Sequence, residues 1–86
     1  MDKLLHLKNI GRTSALWLKT VGIHNLDDLK SVGPAEAFKR IDNRGIRTSK
    51  VLLYALQGAI LDLHWNDIPE ELKQQLCQQV GLLDTQ

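Results

Sequence analysis

A turn directly before an apolar segment carries the first residues whose types and spacing could do chemistry. Gly11 is followed by Arg12, Thr13 and Ser14. A turn that leads into a helix leaves backbone N–H groups without partners, and the helix dipole places positive charge at the same end. Arg12 adds charge to such an anion site, and the two hydroxyl groups add donors suited to phosphate oxygens. The pattern favours phosphate binding; the alternative is a plain helix start that caps itself.

The same tripeptide occurs again 35 residues later, as Arg47, Thr48 and Ser49. A glycine and an isoleucine precede it in both places, and an apolar segment follows both. We interpret the two segments as similar anion-binding turns related by a rough internal symmetry. The candidate phosphate-binding residues of the second turn are Arg44, Gly45, Arg47, Thr48, Ser49 and Lys50.

The other reactive side chains do not have the spacing of a catalytic or metal site. The three histidines, His6, His24 and His64, show no ligand spacing suited to a metal ion. Two pairs of acids occur at predicted helix starts, where the helix dipole favours negative charge. Cys77 is the single cysteine and falls on an apolar stripe, so we expect it in the core. The sequence therefore predicts no enzyme, no metal, no cofactor and no small-molecule substrate.

Charge is distributed unevenly along the chain. The chain has 86 residues, 43% of them hydrophobic, and a net charge of +1. This size supports one modest core, so we predict a single domain over residues 1–86. Residues 1–50 have a balance of +5 and residues 51–86 a balance of −4. Such asymmetry indicates contact with a polyanion, or two solvated faces that differ in charge.

The sequence predicts a cytoplasmic protein with no membrane segment. The longest unbroken apolar run, Val51 to Leu56, is far shorter than the ~18 residues that a spanning helix needs. A single cysteine forms no intramolecular disulfide, which fits a reducing compartment.

No segment alternates between apolar and polar residues with a period of two, so the sequence predicts an all-α fold. We expect Thr13 or Ser14 to cap the first helix and Gly22 to end it in the left-handed conformation. The predicted architecture is a compact orthogonal bundle of about five short helices containing helix-hairpin-helix-like turns. We expect the first helix over about 13–21, a short second helix that starts at 25 and a third helix over 34–45. A fourth is expected over about 48–63, and a last one through 79.

The fourth helix is predicted to be the core, because nine of the eleven residues from Val51 to Leu61 are apolar. Gly58 interrupts this helix at a cost of about 1 kcal/mol relative to alanine. Close packing of a neighbour would explain the glycine. In the last helix we expect Leu72, Leu76 and Val80 to face inward.

Residues 7–23 resemble the helix-hairpin-helix motif of DNA repair and recombination proteins. That motif usually has a Gly–apolar–Gly hairpin, and this chain has Asn9, Ile10 and Gly11. Asparagine tolerates left-handed geometry better than other non-glycine residues. We expect Gly11 to adopt a positive φ as well. The resemblance implies DNA-binding roles in the first turn for Asn9, Gly11, Arg12, Thr13 and Ser14.

Over residues 4–76 the chain resembles the C-terminal domain of TfoX/Sxy-type competence regulators. The matching positions include Asn-Ile-Gly at 9–11 and the distinctive string Leu-Leu-Tyr-Ala-Leu to His-Trp-Asn-Asp-Ile-Pro at 52–69. The resemblance implies a SAM-like helical domain in a positive regulator of DNA-uptake genes. In that family it acts together with the cyclic-AMP receptor protein at promoters, and an α/β domain typically lies ahead of it.

Two functions remain open at this point. The favoured one is a regulatory module that contacts DNA backbone phosphates weakly, without sequence preference, through the two turns. The alternative is a protein-interaction module in a transcription-regulatory assembly, with the cyclic-AMP receptor protein or RNA polymerase as partner and no direct DNA contact. Its small helical plan is similar to the C-terminal domain of the RNA polymerase α subunit. Basic side chains that converge on one face would favour DNA.

Overall fold

The computed structural model describes residues 3–46 and 48–81. Within these ranges the chain forms five α-helices, two short 3₁₀ turns and no strand, which confirms the all-α prediction. The first 3₁₀ turn (Lys3–His6) precedes α1 and the second (Trp65–Asp67) precedes α5. The helices are α1 (Arg12–Thr20), α2 (Leu26–Val32), α3 (Pro34–Asn43), α4 (Lys50–Leu61) and α5 (Glu70–Val80).

Helix α4 is the centre of the core, as its apolar composition predicts. It packs against α2, α3, α5 and the second 3₁₀ turn. Leu53 and Leu56 are completely buried, and Leu52 and Ala59 are nearly so. Because its neighbours surround α4, most of its faces can be apolar without exposing a large hydrophobic surface.

Helices α3 and α5 each turn an apolar stripe toward α4. Phe38 and Ile41 of α3 are buried, as expected, and so is Leu76 of α5. Leu72 and Val80, predicted to face inward with Leu76, are half-buried and pack against the core. The inward-facing stripe of the last helix is therefore confirmed.

Cys77 of α5 is buried in the core, as predicted. Its Sγ lies 3.4 Å from the hydroxyl oxygen of Tyr54 on α4. Burial, with a smaller contribution from the hydrogen bond to Cys77, raises the pKa of Tyr54 to about 12. The ammonium group of Lys73 lies 5.3 Å from the centre of the same ring. This contact joins α4 to α5 through a tyrosine that stays neutral over the physiological pH range.

Several helix boundaries lie where the sequence predicts them. The side chain of Asn25 caps α2 by accepting a 2.8 Å hydrogen bond from the Asp28 amide. Gly22 adopts the left-handed conformation after α1, with φ of 85°. Pro34 occupies the start of α3, where its missing N–H has no intrahelical partner to lose.

The predicted cap of α1 is wrong, and α4 begins two residues later than expected. Helix α1 begins at Arg12, so Thr13 and Ser14 lie inside its first turn, and the cap position belongs to Gly11. An N-cap side chain must come from an extended residue just before the helix. Helix α4 begins at Lys50 rather than at Thr48, because the backbone is still extended at Ser49.

Candidate nucleic-acid interface

The turn before α1 is built around a left-handed asparagine. Asn9 has φ of 72°, whereas Gly11 is extended, with φ of −93° and ψ of −174°. The expectation that Gly11 takes a positive φ is therefore wrong. A single left-handed residue reverses the chain here, and asparagine tolerates that conformation without being glycine. Gly11 then leads straight into α1.

The conformations of Gly11 and Gly45 predict that substitution by alanine destabilises the domain to different extents. We expect Gly11→Ala to change the free energy of unfolding by less than about 1 kcal/mol, because its φ is ordinary for any residue. Apart from its two neighbours in the chain, no residue has an atom within 4 Å of the Cβ that this change adds. Gly45 has φ of 83°, so Gly45→Ala should cost about 1–2 kcal/mol.

Denaturant melts of the two variants measure this difference. Gly45→Ala is the matched control for Gly11→Ala, since both glycines are exposed and both substitutions add one methyl group. Equal losses in the two variants would contradict the difference in conformation, and a larger loss for Gly11→Ala would assign the left-handed position to Gly11.

The side chain of Asn9 holds the turn against the far end of α4. Its Nδ2 donates to the backbone oxygen of Leu63 at 2.8 Å and, at 3.5 Å, to that of Ala55. Its Oδ1 accepts a 3.1 Å hydrogen bond from the Trp65 amide. Both polar atoms of the Asn9 side chain are thus hydrogen-bonded to protein backbone, and the role of this side chain is to position the turn.

This contact also explains Gly58, for which the sequence predicted close packing. A Cβ at Gly58 would lie 2.5 Å from the backbone oxygen of Leu63, and it would also overlap Nδ2 of Asn9. The prediction of a close neighbour is confirmed. The close neighbours are the side chain of Asn9 and the backbone of Leu63, which follows α4.

The first turn of α1 is open to solvent and to an anion. In the described part of the chain, no acceptor bonds to the amides of Arg12, Thr13 and Ser14. Arg12 and Thr13 are exposed and Ser14 is half-buried, as is the preceding Asn9. The sequence contains no acid between residues 3 and 26. The local charge is therefore positive without compensation along the chain.

Acidic residues separate the five α-helices of the described ranges into two groups. Helices α2, α3 and α5 have one or two acids in their first turn, where they offset the helix dipole. Helices α1 and α4 have none, and no side chain caps either of them. These are the two helices that follow the candidate turns.

The second turn nevertheless differs from the first, so the predicted internal symmetry is wrong. The tripeptide that opens α1 lies before α4 instead of inside it, with Ser49 at the cap position. The amides of Leu52 and Leu53 both bond to the Ser49 oxygen, which tightens the start of α4. Arg47 lies outside the described residues.

An acid lies against the second turn. The hydroxyl of Thr48 donates to Oδ1 of Asp42 at 3.1 Å, so it is occupied and has a carboxylate beside it. Arg44 directly follows α3 and Lys50 begins α4, and both are exposed, as are Gly45 and Ser49. The second turn therefore offers basic side chains, but fewer free donors than the first.

The remaining candidates have structural surroundings. All three histidines are exposed, and no group of three or more potential metal ligands occurs in residues 3–46 and 48–81. Trp17 packs against the core, whereas Trp65 is half-buried and stacks on His64 with ring centres 5.6 Å apart. Among the helices described, none is long and apolar enough to cross a membrane.

The chain that forms these elements matches a known family over nearly its whole length. The TfoX C-terminal domain family matches residues 1–80. The chain belongs to this family. A curated relative, the DNA transformation protein TfoX1 of Aliivibrio fischeri (strain ATCC 700601 / ES114), is 30% identical over 79 residues. That match covers 91% of this chain and 38% of the relative, so the TfoX C-terminal domain spans well under half of TfoX1.

Two crystal structures share the fold. One is of an uncharacterized protein from Listeria monocytogenes in a triclinic form, with 33% identity and a TM-score of 0.83. The other is a tetragonal form of a protein of unknown function from the same organism, with 34% identity and a TM-score of 0.85. Each match covers 94% of this chain, and 97% and 100% of the solved chains respectively.

Proposed function

We propose that this TfoX C-terminal domain is a non-enzymatic, cytoplasmic regulatory module for DNA-uptake genes that contacts DNA backbone phosphates. Its relationship to TfoX1, a DNA transformation protein, supports the biological setting. The observation that carries the DNA contact is the absence of acids from the first turns of α1 and α4 alone among the five α-helices described. A positive helix end left unneutralised is suited to an anion.

The α1 turn is the stronger of the two contacts. It offers the open amides of Arg12, Thr13 and Ser14, two exposed side chains and no nearby acid in the sequence. Gly11 is exposed and has no side chain, so a phosphate can approach its backbone closely. Asn9 contributes by holding the turn in place, because both polar atoms of its side chain are already bonded.

The second turn adds mainly charge. Arg44 and Lys50 are exposed and basic, and Arg47 adds a third cation in the sequence. Ser49 can donate its hydroxyl, whereas Thr48 already donates to Asp42. Phosphate contacts of these kinds position a protein on a duplex and read little sequence. Promoter choice then comes from a partner or from another domain.

Binding to labelled duplex DNA at several salt concentrations between about 50 and 200 mM tests the proposal. With three to five phosphate contacts, log affinity should fall against log salt with a slope of about −0.9 per contact, from a Kd near 10⁻⁴–10⁻⁶ M. Arg12→Ala should weaken binding equally on unrelated sequences and flatten the slope by about one unit. Arg47→Ala is expected to act in the same way.

Arg40→Ala is the matched control, because it removes the same charge from an exposed position on α3. Arg40 is already paired with Glu36, its Nε lying 3.1 Å from a carboxylate oxygen. Its removal should leave duplex binding close to that of the wild type. Absence of binding at low salt, or superimposable curves for Arg12→Ala and wild type, would exclude the phosphate contact.

The second candidate function is a protein-interaction module that makes no direct DNA contact. The acidic balance of −4 over residues 51–86 favours it, as does the carboxylate of Asp42 beside the second turn. Its partner would be the cyclic-AMP receptor protein or RNA polymerase. Co-sedimentation with either protein in the absence of DNA, together with no duplex binding, would select this function.

A further inference from the structure

Apolar side chains are exposed where the chain leaves α4. We use the term "apolar corner" for Leu61, Leu63, His64 and Trp65. Leu61 is 45% exposed and Leu63 is 37% exposed, and Trp65 is half-buried with its ring stacked on His64. Isolated exposed leucines are common on protein surfaces. Two leucines and an aromatic pair within five residues form a more concentrated apolar surface.

The backbone beneath the apolar corner is fixed by hydrogen bonds. The Leu63 amide bonds to the Gly58 oxygen at 2.9 Å, and Asn9 bonds to the oxygen of Leu63 and the amide of Trp65. Nδ1 of His64 accepts from the Asn66 amide at 3.1 Å. A surface held in this way is ordered before a partner arrives, so binding costs less conformational entropy.

Carboxylates flank the apolar corner along the chain. The four acids nearest along the chain, all exposed, are Asp62, Asp67, Glu70 and Glu71. Within the described ranges none of them forms an ion pair. The sequence has no lysine or arginine from residue 51 to residue 72. This segment of the chain is therefore acidic, whereas the α1 turn that Asn9 holds beside it is basic.

We propose that the apolar corner is a docking surface for a basic segment of a protein partner that carries apolar anchor residues. The exposed leucines and Trp65 would receive the anchors, and the flanking carboxylates would attract lysine or arginine side chains. The inference goes beyond the proposed function, because it holds whether or not α1 contacts a duplex.

The test uses three short synthetic peptides labelled with a fluorophore. The first alternates lysine and leucine, the second replaces every lysine by glutamate, and the third replaces every leucine by serine. The first should bind at least about tenfold more tightly than either of the others, since it alone has both charge and anchors. Amide shifts in ¹⁵N spectra should be concentrated at residues 61–71.

Variants of the domain identify the surface. Leu61→Ser combined with Leu63→Ser should weaken binding of the lysine–leucine peptide by about tenfold or more. Leu16→Ser is the matched control, because Leu16 is 61% exposed but lies on α1. Asp62→Asn with Asp67→Asn should weaken binding several-fold and reduce its salt dependence. Asparagine keeps the left-handed conformation of Asp62 available.

Three outcomes would overturn the proposal: equal binding of the three peptides, an equal effect of Leu16→Ser, or self-association of the wild type that the double leucine variant abolishes. The last would show that a second copy covers the apolar corner. Duplex binding of the double leucine variant, which keeps every charge, should not change. A failure of DNA binding in the wild type would therefore bear on the proposed function and leave the peptide result intact.

Discussion

Leu56→Ala is expected to destabilise the domain by about 2–5 kcal/mol, because it removes a completely buried side chain from the central helix. Helices α2, α3 and α5 all pack on α4, so no single neighbour can move to fill the cavity. A domain of this size has a stability near the lower end of the ~5–15 kcal/mol range. The variant should melt at a much lower denaturant concentration or be largely unfolded.

Leu61→Ala makes the same chemical change at an exposed position on the same helix. With 45% of Leu61 accessible to solvent, we expect a loss below about 1 kcal/mol. If Leu56→Ala is unfolded, Leu56→Met gives a measurable value, since volume-conserving changes usually cost less than about 1.5 kcal/mol. Losses for Leu56→Ala and Leu61→Ala that agree within error would contradict the central position of α4.

The core could be predicted from the sequence because burial follows from local pattern. Nine apolar residues among the eleven from Val51 to Leu61 require a helix surrounded by others, and that is the environment of α4. The cap at Asn25 and the start at Pro34 were also predictable, since both depend on a residue and its immediate neighbours. Such signals act over one or two turns of chain.

The two turns show why similar sequence does not ensure similar structure. Arg-Thr-Ser opens α1 but precedes α4, because the residues that come before each copy differ in conformation. In the first, Asn9 reverses the chain and Gly11 is extended; in the second, Gly45 is left-handed and lies two residues after the end of α3. The carboxylate of Asp42 also accepts a hydrogen bond from the hydroxyl of Thr48. Identity over three residues is too short to determine these conformations.

The contacts of Asn9 could not be predicted, because they join residues 46 to 56 positions apart. A glycine inside an apolar helix signals a close neighbour but does not say which one. The sequence shows that Gly58 is unusual within an apolar helix. Only the fold shows that Asn9 and Leu63 are the residues packed against it.

Asn9→Ala is therefore expected to have the second large effect on stability, about 2–5 kcal/mol. Two well-formed hydrogen bonds, to the Leu63 oxygen and from the Trp65 amide, are lost at about 0.5–1.5 kcal/mol each. Alanine at a φ of 72° adds about 1–2 kcal/mol of backbone strain. Chemical denaturation monitored by tryptophan fluorescence measures the total.

Asn9→Gly separates the two contributions, because glycine accepts the left-handed conformation and lacks the amide side chain. It should lose about 1–3 kcal/mol, less than Asn9→Ala by the cost of the strain. Asn43→Ala is the control, since Asn43 is exposed at the end of α3 and its side chain makes no hydrogen bond in the described part of the chain. Equal losses at positions 9 and 43 would contradict the positioning role.

A double-mutant cycle with Gly58 tests the contact itself. Gly58→Ala alone should cost about 1–3 kcal/mol, because its Cβ overlaps the Asn9 side chain and lies 2.5 Å from the Leu63 oxygen. With Asn9→Gly already present, one of these two overlaps is gone and the Leu63 segment is no longer held by the asparagine. Gly58→Ala should then cost less, with a coupling of about 0.5–3 kcal/mol. Strict additivity would mean that Asn9 and Gly58 do not share this contact.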